Sequence, residues 1–215
     1  MHYTSIQNKG QARLFKNAYL EYLTKTSPVV IWLLYLPVVI YLPYVSARNQ
    51  IYPLTHIFLL FVIGFISWTL AEYLLHRFLF HANVQGAKSK RIQYILHGNH
   101  HHFPRDKQRL FMPPVPSIFL ASIWELFFFG LMGMASLPFF SGFLLGYLLY
   151  GTMHYAIHAI KPPFKWMKPL WRNHYLHHYK EEEKGFGVSS TLWDWVFGTM
   201  YEKQSEKENE SGEIV

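Results

Sequence analysis

Histidine is the residue type that gives this chain its chemistry. Eleven of its 13 histidines fall in four short groups, HRFLFH (76–81), HGNHHH (97–102), HYAIH (154–158) and HYLHH (174–178). Imidazole nitrogen is a good ligand for iron, copper, nickel and zinc. The chain contains no cysteine, which excludes thiolate sites and iron–sulfur clusters. The four groups therefore predict a metal centre whose ligands are nitrogen atoms.

The spacing inside each group predicts which histidines share a helix face. Residues three and four apart on a helix are neighbours. Three sets have this spacing: His97, His100 and His101; His154 and His158; and His174, His177 and His178. His76 and His81 are five apart and would diverge by about 140° on an ideal helix. We therefore expect one of these two to lie beyond a helix end, and we expect His102 to point away from its group.

Ten histidines are too many for one ion, which takes about four to six ligands, and they suit two. The spacing predicts a dinuclear site without identifying the metal. His2, His56 and His102 are expected to be ordinary surface or core residues. Ligating histidines usually donate their second ring N–H to an oxygen, and Glu72, Asp106 and Asp194 are candidate acceptors. For the two aspartates, a role in a turn or a helix cap is an equal alternative.

Four apolar stretches must position these histidines, at about 28–45, 53–75, 115–135 and 137–158. Each approaches the roughly 20 residues that a helix needs to cross a bilayer. Only 15% of the residues are charged, against about 25% in an average soluble domain. Buried helices of a soluble protein are the alternative, but too little polar sequence remains to cover four of them. The predicted fold is all-α, an integral membrane protein with about four transmembrane helices.

Two local features affect the predicted helices. Pro37 and Pro43 interrupt the first stretch, which membrane helices tolerate because neighbouring helices can bond the freed carbonyls. The turn at 135–138 is very short, so the third and fourth stretches should form a tight hairpin. We assign residues 1–201 to a single domain and residues 202–215 to a charged, disordered tail.

The basic residues predict the orientation of the chain. Taken in order around the four stretches, the segments carry 4, 1, 7, 0 and 8 lysines and arginines. By the positive-inside rule, both termini and the large central loop are cytoplasmic, and so are the histidine groups, which form a helical cap there. The net charge of +7 comes in these blocks rather than in one patch, so we expect no nucleic-acid partner.

These residues resemble the fatty acid hydroxylase superfamily of membrane proteins, a sterol desaturase-like group. The resemblance lies in the combined HxxxxH, HxxHH, HxxxH and HxxHH series and covers about residues 68–199. The segments RLFMPPVPS (109–117) and FGVSSTLWD (186–194) are most similar to fatty acid 2-hydroxylases acting on sphingolipid acyl chains.

The resemblance implies that two metal ions, iron in the active enzyme, activate O₂ and that one oxygen atom is inserted at C2 of an acyl chain. Zinc in isolated protein would not contradict iron in the working enzyme, because zinc binds imidazole more tightly than Fe²⁺ does. The implied ligands are His76, His81, His97, His100, His101, His154, His158, His174, His177 and His178. The implied substrate is a lipid in the bilayer, either a free fatty acid or a sphingolipid.

Two departures from the family pattern affect these expectations. Many eukaryotic members carry an N-terminal cytochrome b5 domain, for which these 215 residues have no room. We therefore expect a separate electron donor, such as a cytochrome b5 or ferredoxin with its reductase. Gly151 stands where the family often has an acidic residue. A sterol or carotenoid oxidase would share the same histidines, and a non-catalytic membrane metal-binding protein is the alternative from another class.

The choice of ligands predicts a contrast between neighbouring histidines. Replacing His101 or His177 with alanine should abolish activity and lower the metal content, because each removes a ligand. The same change at His102 should be mild. Metal analysis and an activity assay of the purified variants measure this. Equal damage at His102 and His101 would show that the set of ten is wrong.

Overall fold

The regular structure of this protein is helical. A computed structural model describes residues 6–202, and within that range it contains helices and no strand, which confirms the all-α prediction. The residues outside it, 1–5 and 203–215, include His2 and nearly all of the predicted tail. The α-helices are α1 (Ala18–Tyr22), α2 (Pro28–Arg48), α3 (Leu54–Leu74), α4 (Ala87–Gln93), α5 (Asn99–His102), α6 (Pro114–Met132), α7 (Ser136–Ala159), α8 (Lys168–Tyr179) and α9 (Leu192–Val196). Two π-helical segments, Leu75–Phe80 and Tyr94–Gly98, continue α3 and α4, and 3₁₀ turns occupy Gly133–Ala135 and Lys165–Met167.

The four predicted apolar stretches are the four long helices α2, α3, α6 and α7. Three segments of the described chain are long and apolar enough to cross a membrane: Pro28–Arg48, Leu54–Phe80 and Pro114–Ala159, with mean hydropathies of 2.0, 2.0 and 1.8. The third segment joins α6 to α7. Full crossing of the bilayer by all four helices therefore stays a prediction.

Glycines bring α3 and α7 into close contact. A Cβ atom at Gly64 would lie 1.9 Å from the Phe139 carbonyl oxygen, and one at Gly142 would lie 1.9 Å from the Phe61 carbonyl oxygen. Farther along α7, a Cβ at Gly146 would meet Trp68. Small residues at such contacts let helix backbones approach closely in membranes. This contact fixes the spacing of the two helices whose ends carry histidine.

Helix α2 packs beside α7 and contains both prolines. Pro43 has no N–H to donate to the carbonyl of Val39, four residues earlier. The Ser141 hydroxyl on α7 donates to that carbonyl instead, at 2.5 Å. The expected compensation by a neighbouring helix is therefore present at this proline.

Helices α6 and α7 form the predicted hairpin. Gly133 breaks the chain direction with a φ of +57°, which glycine adopts without steric cost. Near the turn, the Phe128 ring on α6 packs edge-on against Phe139 and Phe143 on α7, with ring centroids 4.8 and 5.2 Å apart. The hairpin completes the apolar core and holds the histidine end of α7 beside that of α3.

The remaining short helices form a cap over the histidine ends of α3 and α7. The N-terminal segment closes over this cap through Arg109, whose guanidinium bridges Asp106 at 2.6 Å and Glu21 at 2.5 Å. Glu21 also accepts backbone N–H groups from Leu14 and Phe15. These bonds fix the loop between α5 and α6, which carries an acceptor for one of the histidines.

The α3–α7 contact generates a prediction. Gly142→Ala should destabilise the fold by about 1–3 kcal/mol or more, because the added methyl overlaps the α3 backbone. The thermal unfolding midpoint in detergent measures this. Gly130→Ala is the matched control, since a Cβ there meets no atom within 4 Å. Equal midpoints for the two variants would contradict the close contact.

Candidate metal centre

The structure gathers ten histidines into two groups of five. Within each group, one ring nitrogen from every member lies within 4.8 Å of the others. Cluster A consists of His76, His81, His97, His101 and His177, and cluster B consists of His100, His154, His158, His174 and His178. These are the same ten histidines that the sequence groups and the family resemblance indicated as ligands. His56 lies near the opposite end of α3, and His102 turns outward, where its Nδ1 and the Tyr94 hydroxyl share a hydrogen bond of 3.1 Å.

A π-helical turn brings His76 and His81 together. The N–H of His81 donates to the carbonyl of His76, five residues earlier, at 3.1 Å. His81 is the first residue past this segment, as expected, and the two ring centroids are 5.1 Å apart. An ideal α-helix would have separated the rings. The wider turn puts both in cluster A.

Each HxxHH motif serves both clusters. The outer pair His97 and His101 joins cluster A, whereas the intervening His100 crosses to cluster B. In the second motif the outer pair joins cluster B, and His177 crosses to cluster A. Helix α5 and helix α8 therefore each hold both sites. The rings of His101 and His178, from opposite clusters, stack with centroids 4.2 Å apart.

Backbone carbonyls orient several of the rings through Nδ1. The Nδ1–H of His76 donates to Phe186 at 2.5 Å, that of His177 to Lys184 at 2.7 Å, and that of His154 to Leu110 at 3.3 Å. A neutral imidazole that donates from Nδ1 has an unprotonated Nε2. These three Nε2 atoms face their clusters with a free lone pair.

The separations between Nε2 atoms fit a shared ion. In cluster A, His97 Nε2 lies 3.1 Å from His76 Nε2 and 2.9 Å from His101 Nε2. In cluster B, His174 Nε2 lies 2.9 Å from His158 Nε2 and 3.0 Å from His178 Nε2. Two nitrogens at about 2.1 Å from one ion and at right angles to each other stand roughly 3.0 Å apart. A cation can accept five inward lone pairs at once, which imidazole–imidazole hydrogen bonds cannot. The donor sets therefore fit two metal ions.

The electrostatic environment keeps the imidazoles neutral, which is the form that binds metals. Burial, and to a smaller extent the neighbouring imidazoles, lowers the pKa of the cap histidines well below its usual range. This holds for His97, His100, His101, His174, His177 and His178.

Glu72 and Asp194 were expected to accept hydrogen bonds from the histidine rings, but they bind backbone N–H groups of a neighbouring loop. Glu72 accepts the N–H groups of Val188 and Ser189, at 2.7 and 2.9 Å. Asp194 accepts those of Phe186 and Gly187, both at 2.9 Å. Both buried carboxylates thus hold the loop whose carbonyl at Phe186 orients His76.

Asp106 has the turn role that was the alternative at that position. Its side chain accepts the backbone N–H of Gln108 at 3.2 Å and pairs with Arg109 at 2.6 Å. The turn leads to Leu110, whose carbonyl orients His154. Backbone carbonyls could not be identified as acceptors from sequence, because any residue supplies one.

Sequence reasoning missed Glu182. One of its carboxylate oxygens lies 3.9 Å from His81 Nδ1 and 4.0 Å from His101 Nδ1. The same side chain lines a small pocket beside cluster A, whose walls are Phe80, His81, Gln93, His97, Gly98, His101 and Glu182. Its one signal in the sequence is a run of three glutamates shortly after HYLHH.

The fatty acid hydroxylase family model matches residues 61–199, which include all ten histidines. The chain belongs to the fatty acid hydroxylase family. The resemblance drawn from the histidine series is thereby confirmed. Members of this family are metal-dependent hydroxylases, act on lipids and need an electron donor.

Named relatives within the family are 2-hydroxylases and ceramide hydroxylases. The dihydroceramide fatty acyl 2-hydroxylase FAH2 of Arabidopsis thaliana is 37% identical over 189 residues, which cover 87% of this chain and 79% of the plant protein. The ceramide very long chain fatty acid hydroxylase SCS7 of Saccharomyces cerevisiae is 42% identical over 198 residues, 89% of this chain but 50% of the yeast protein. A solved structure of full-length scs7p, with only the hydroxylase domain visible, superposes with a TM-score of 0.84 at 40% identity. The superposition covers 90% of this chain and 74% of the scs7p chain.

The lowered histidine pKa values predict how the metal-free protein responds to acid. An unfolded histidine binds a proton near pH 6.5, whereas the folded one resists it, so stability falls as pH falls below about 6.5. Each histidine that gains a proton on unfolding contributes about 1.4 kcal/mol per pH unit. Burial raises the pKa of Asp194, which acts in the opposite direction, because the folded protein then holds a proton that the unfolded chain releases.

Thermal unfolding of chelator-treated protein between about pH 8 and pH 5.5 measures this slope. His97→Ala should make the slope shallower, because it removes one of these buried histidines. A midpoint that stays flat or rises on acidification would contradict the prediction.

Proposed function

We propose that this protein is an O₂-dependent dimetal hydroxylase that adds a hydroxyl group at C2 of a fatty acyl chain, either free or within a sphingolipid. The observation that carries the proposal is the pair of five-histidine clusters at the ends of apolar helices α3 and α7. The named functions of the relatives support the acyl substrate and the position of attack.

The ten clustered histidines are the proposed ligands, five to each of two ions. Bound iron would supply the O₂ activation that amino-acid side chains cannot provide. In the overall reaction, one oxygen atom enters the C–H bond and the other leaves as water, which consumes two electrons and two protons. The imidazoles contribute by remaining neutral and buried.

The surroundings of the clusters suit a lipid substrate. Phe80 stacks on His97 with centroids 5.0 Å apart, and Tyr150 stacks on His154 at 5.9 Å. Aromatic side chains beside the clusters would let an apolar acyl chain approach without bringing water to the metals.

The charge pattern supports the proposed orientation, with four membrane crossings and with both termini and the clusters on the cytoplasmic side. A separate reduced carrier, such as a cytochrome b5 or ferredoxin with its reductase, is the proposed electron source. It would reach the cap from that side.

The test is lipid mass spectrometry on a host that lacks 2-hydroxy lipids, with and without this gene, under ¹⁸O₂. The expected product is an acyl chain carrying one ¹⁸O atom, placed at C2 by fragmentation. His102→Ala should retain the product, and His100→Ala should lose it, because only His100 belongs to a cluster.

Other outcomes would overturn parts of the proposal. Label on a sterol or carotenoid would keep the dimetal chemistry and replace the substrate. No labelled lipid in the presence of a competent reductase would favour a non-catalytic metal-binding protein.

A further inference from the structure

The two clusters differ in what supports their rings from outside. In cluster A, two rings donate to backbone carbonyls, and two more, His81 and His101, lie beside the carboxylate of Glu182. In cluster B, one ring, that of His154, donates to the carbonyl of Leu110. The Nδ1 atoms of His174 and His178 in that cluster are buried and have no hydrogen-bond partner within residues 6–202. Acceptors behind ligating imidazoles fix the ring orientation and raise ligand basicity. The rings of cluster A therefore have more hydrogen-bonding and electrostatic partners at Nδ1 than the rings of cluster B have.

Glu182 occupies a defined position between two rings of cluster A. One oxygen, Oε2, lies about equally far from the two Nδ1 atoms, at 3.9 Å from His81 and 4.0 Å from His101. The glutamate side chain is 16% exposed, and the two histidine side chains are 12% and 4% exposed. At such separations a carboxylate attracts both rings electrostatically, and a water molecule can bridge the remaining gap.

The turn that carries Glu182 is fixed on both sides. The Tyr201 hydroxyl donates to the carbonyls of Glu181 and Lys184, the latter at 3.0 Å. The Lys184 carbonyl also accepts the Nδ1–H of His177, a member of cluster A. An ion pair of 3.3 Å joins Lys184 to Glu181. Glu182 is therefore held in place by the same turn that orients a ring of the cluster.

We infer that Glu182 is a positioning residue for cluster A and makes this cluster bind its ion more tightly than cluster B does. Five neutral imidazoles leave the positive charge of a divalent ion uncompensated, and a partly buried carboxylate just behind two of them offsets it. Cluster B has no such carboxylate beside the Nδ1 atoms of His174 and His178 within the described chain. The inference rests on the proposal that the ten histidines bind two ions.

The test measures metal release from the full chain, purified in detergent and loaded with Zn²⁺. Total zinc is determined by elemental analysis, and its loss to a chromophoric chelator is followed over time. The wild-type protein should hold two zinc ions and release them in a fast and a slow phase. His158→Ala, which removes a cluster B ligand, should eliminate the fast phase and so assign the slow phase to cluster A.

Glu182→Gln keeps the side-chain shape and removes the charge. It should speed the slow phase by about 10–100-fold and leave the fast phase within about twofold, since loss of such a partner costs that range in affinity. Glu182→Asp keeps the charge at a shorter reach and should lie between wild type and Glu182→Gln. Glu183→Gln, at the exposed neighbouring glutamate, is the matched control and should change neither phase.

Each outcome decides one question. Wild-type kinetics in Glu182→Gln, or equal acceleration of both phases, would overturn the role of Glu182. If Glu182→Gln does not fold, Glu182→Asp carries the test, and wild-type kinetics in that variant would overturn the role. Fewer than two zinc ions on the wild-type chain would refute the two-ion proposal itself, whatever Glu182 does.

Discussion

The burial of ten neutral imidazoles, with their Nε2 atoms facing inward, is the constraint on which the rest of the structure depends. These nitrogen atoms lie 2.9–3.1 Å from one another, and hydrogen bonds between neutral imidazoles cannot satisfy all five inward nitrogens of a cluster at once. Protonation does not relieve them, because burial disfavours the charged form. Metal ions can. Together, the helices, the loops and the N-terminal segment hold these rings in place.

The apolar helices supply the rigid base for this arrangement. Glycines at the α3–α7 contact bring the two backbones together, and cluster A starts from the end of α3 while cluster B starts from the end of α7. The cap helices α5 and α8 then contribute to both clusters. Because each HxxHH motif is divided between the sites, neither site can move far without displacing a ligand of the other.

Around the rings lies a layer of backbone carbonyls, and behind it a layer of buried carboxylates. The Phe186 carbonyl orients His76, and Asp194 and Glu72 hold the loop that carries it. The turn at Asp106 does the same for Leu110 and His154. In this arrangement the carboxylate charge acts through the peptide backbone. Glu182 differs because it lies directly beside two rings.

Several features of this protein could be predicted from its sequence alone. Helical spacing identified eight of the ten histidines, the HRFLFH group added His76 and His81, apolar length predicted the four long helices, and the combined motifs indicated the family. These features depend on residue type and short-range periodicity, which a sequence displays directly. The tertiary structure alone decided which histidines share a site. The π-helical turn at 75–80 and the division of each HxxHH motif depend on how α3, α5 and α8 meet. It also decided the partners of the rings, because a carbonyl acceptor has no residue type, and because Glu182 reaches cluster A only through the fold.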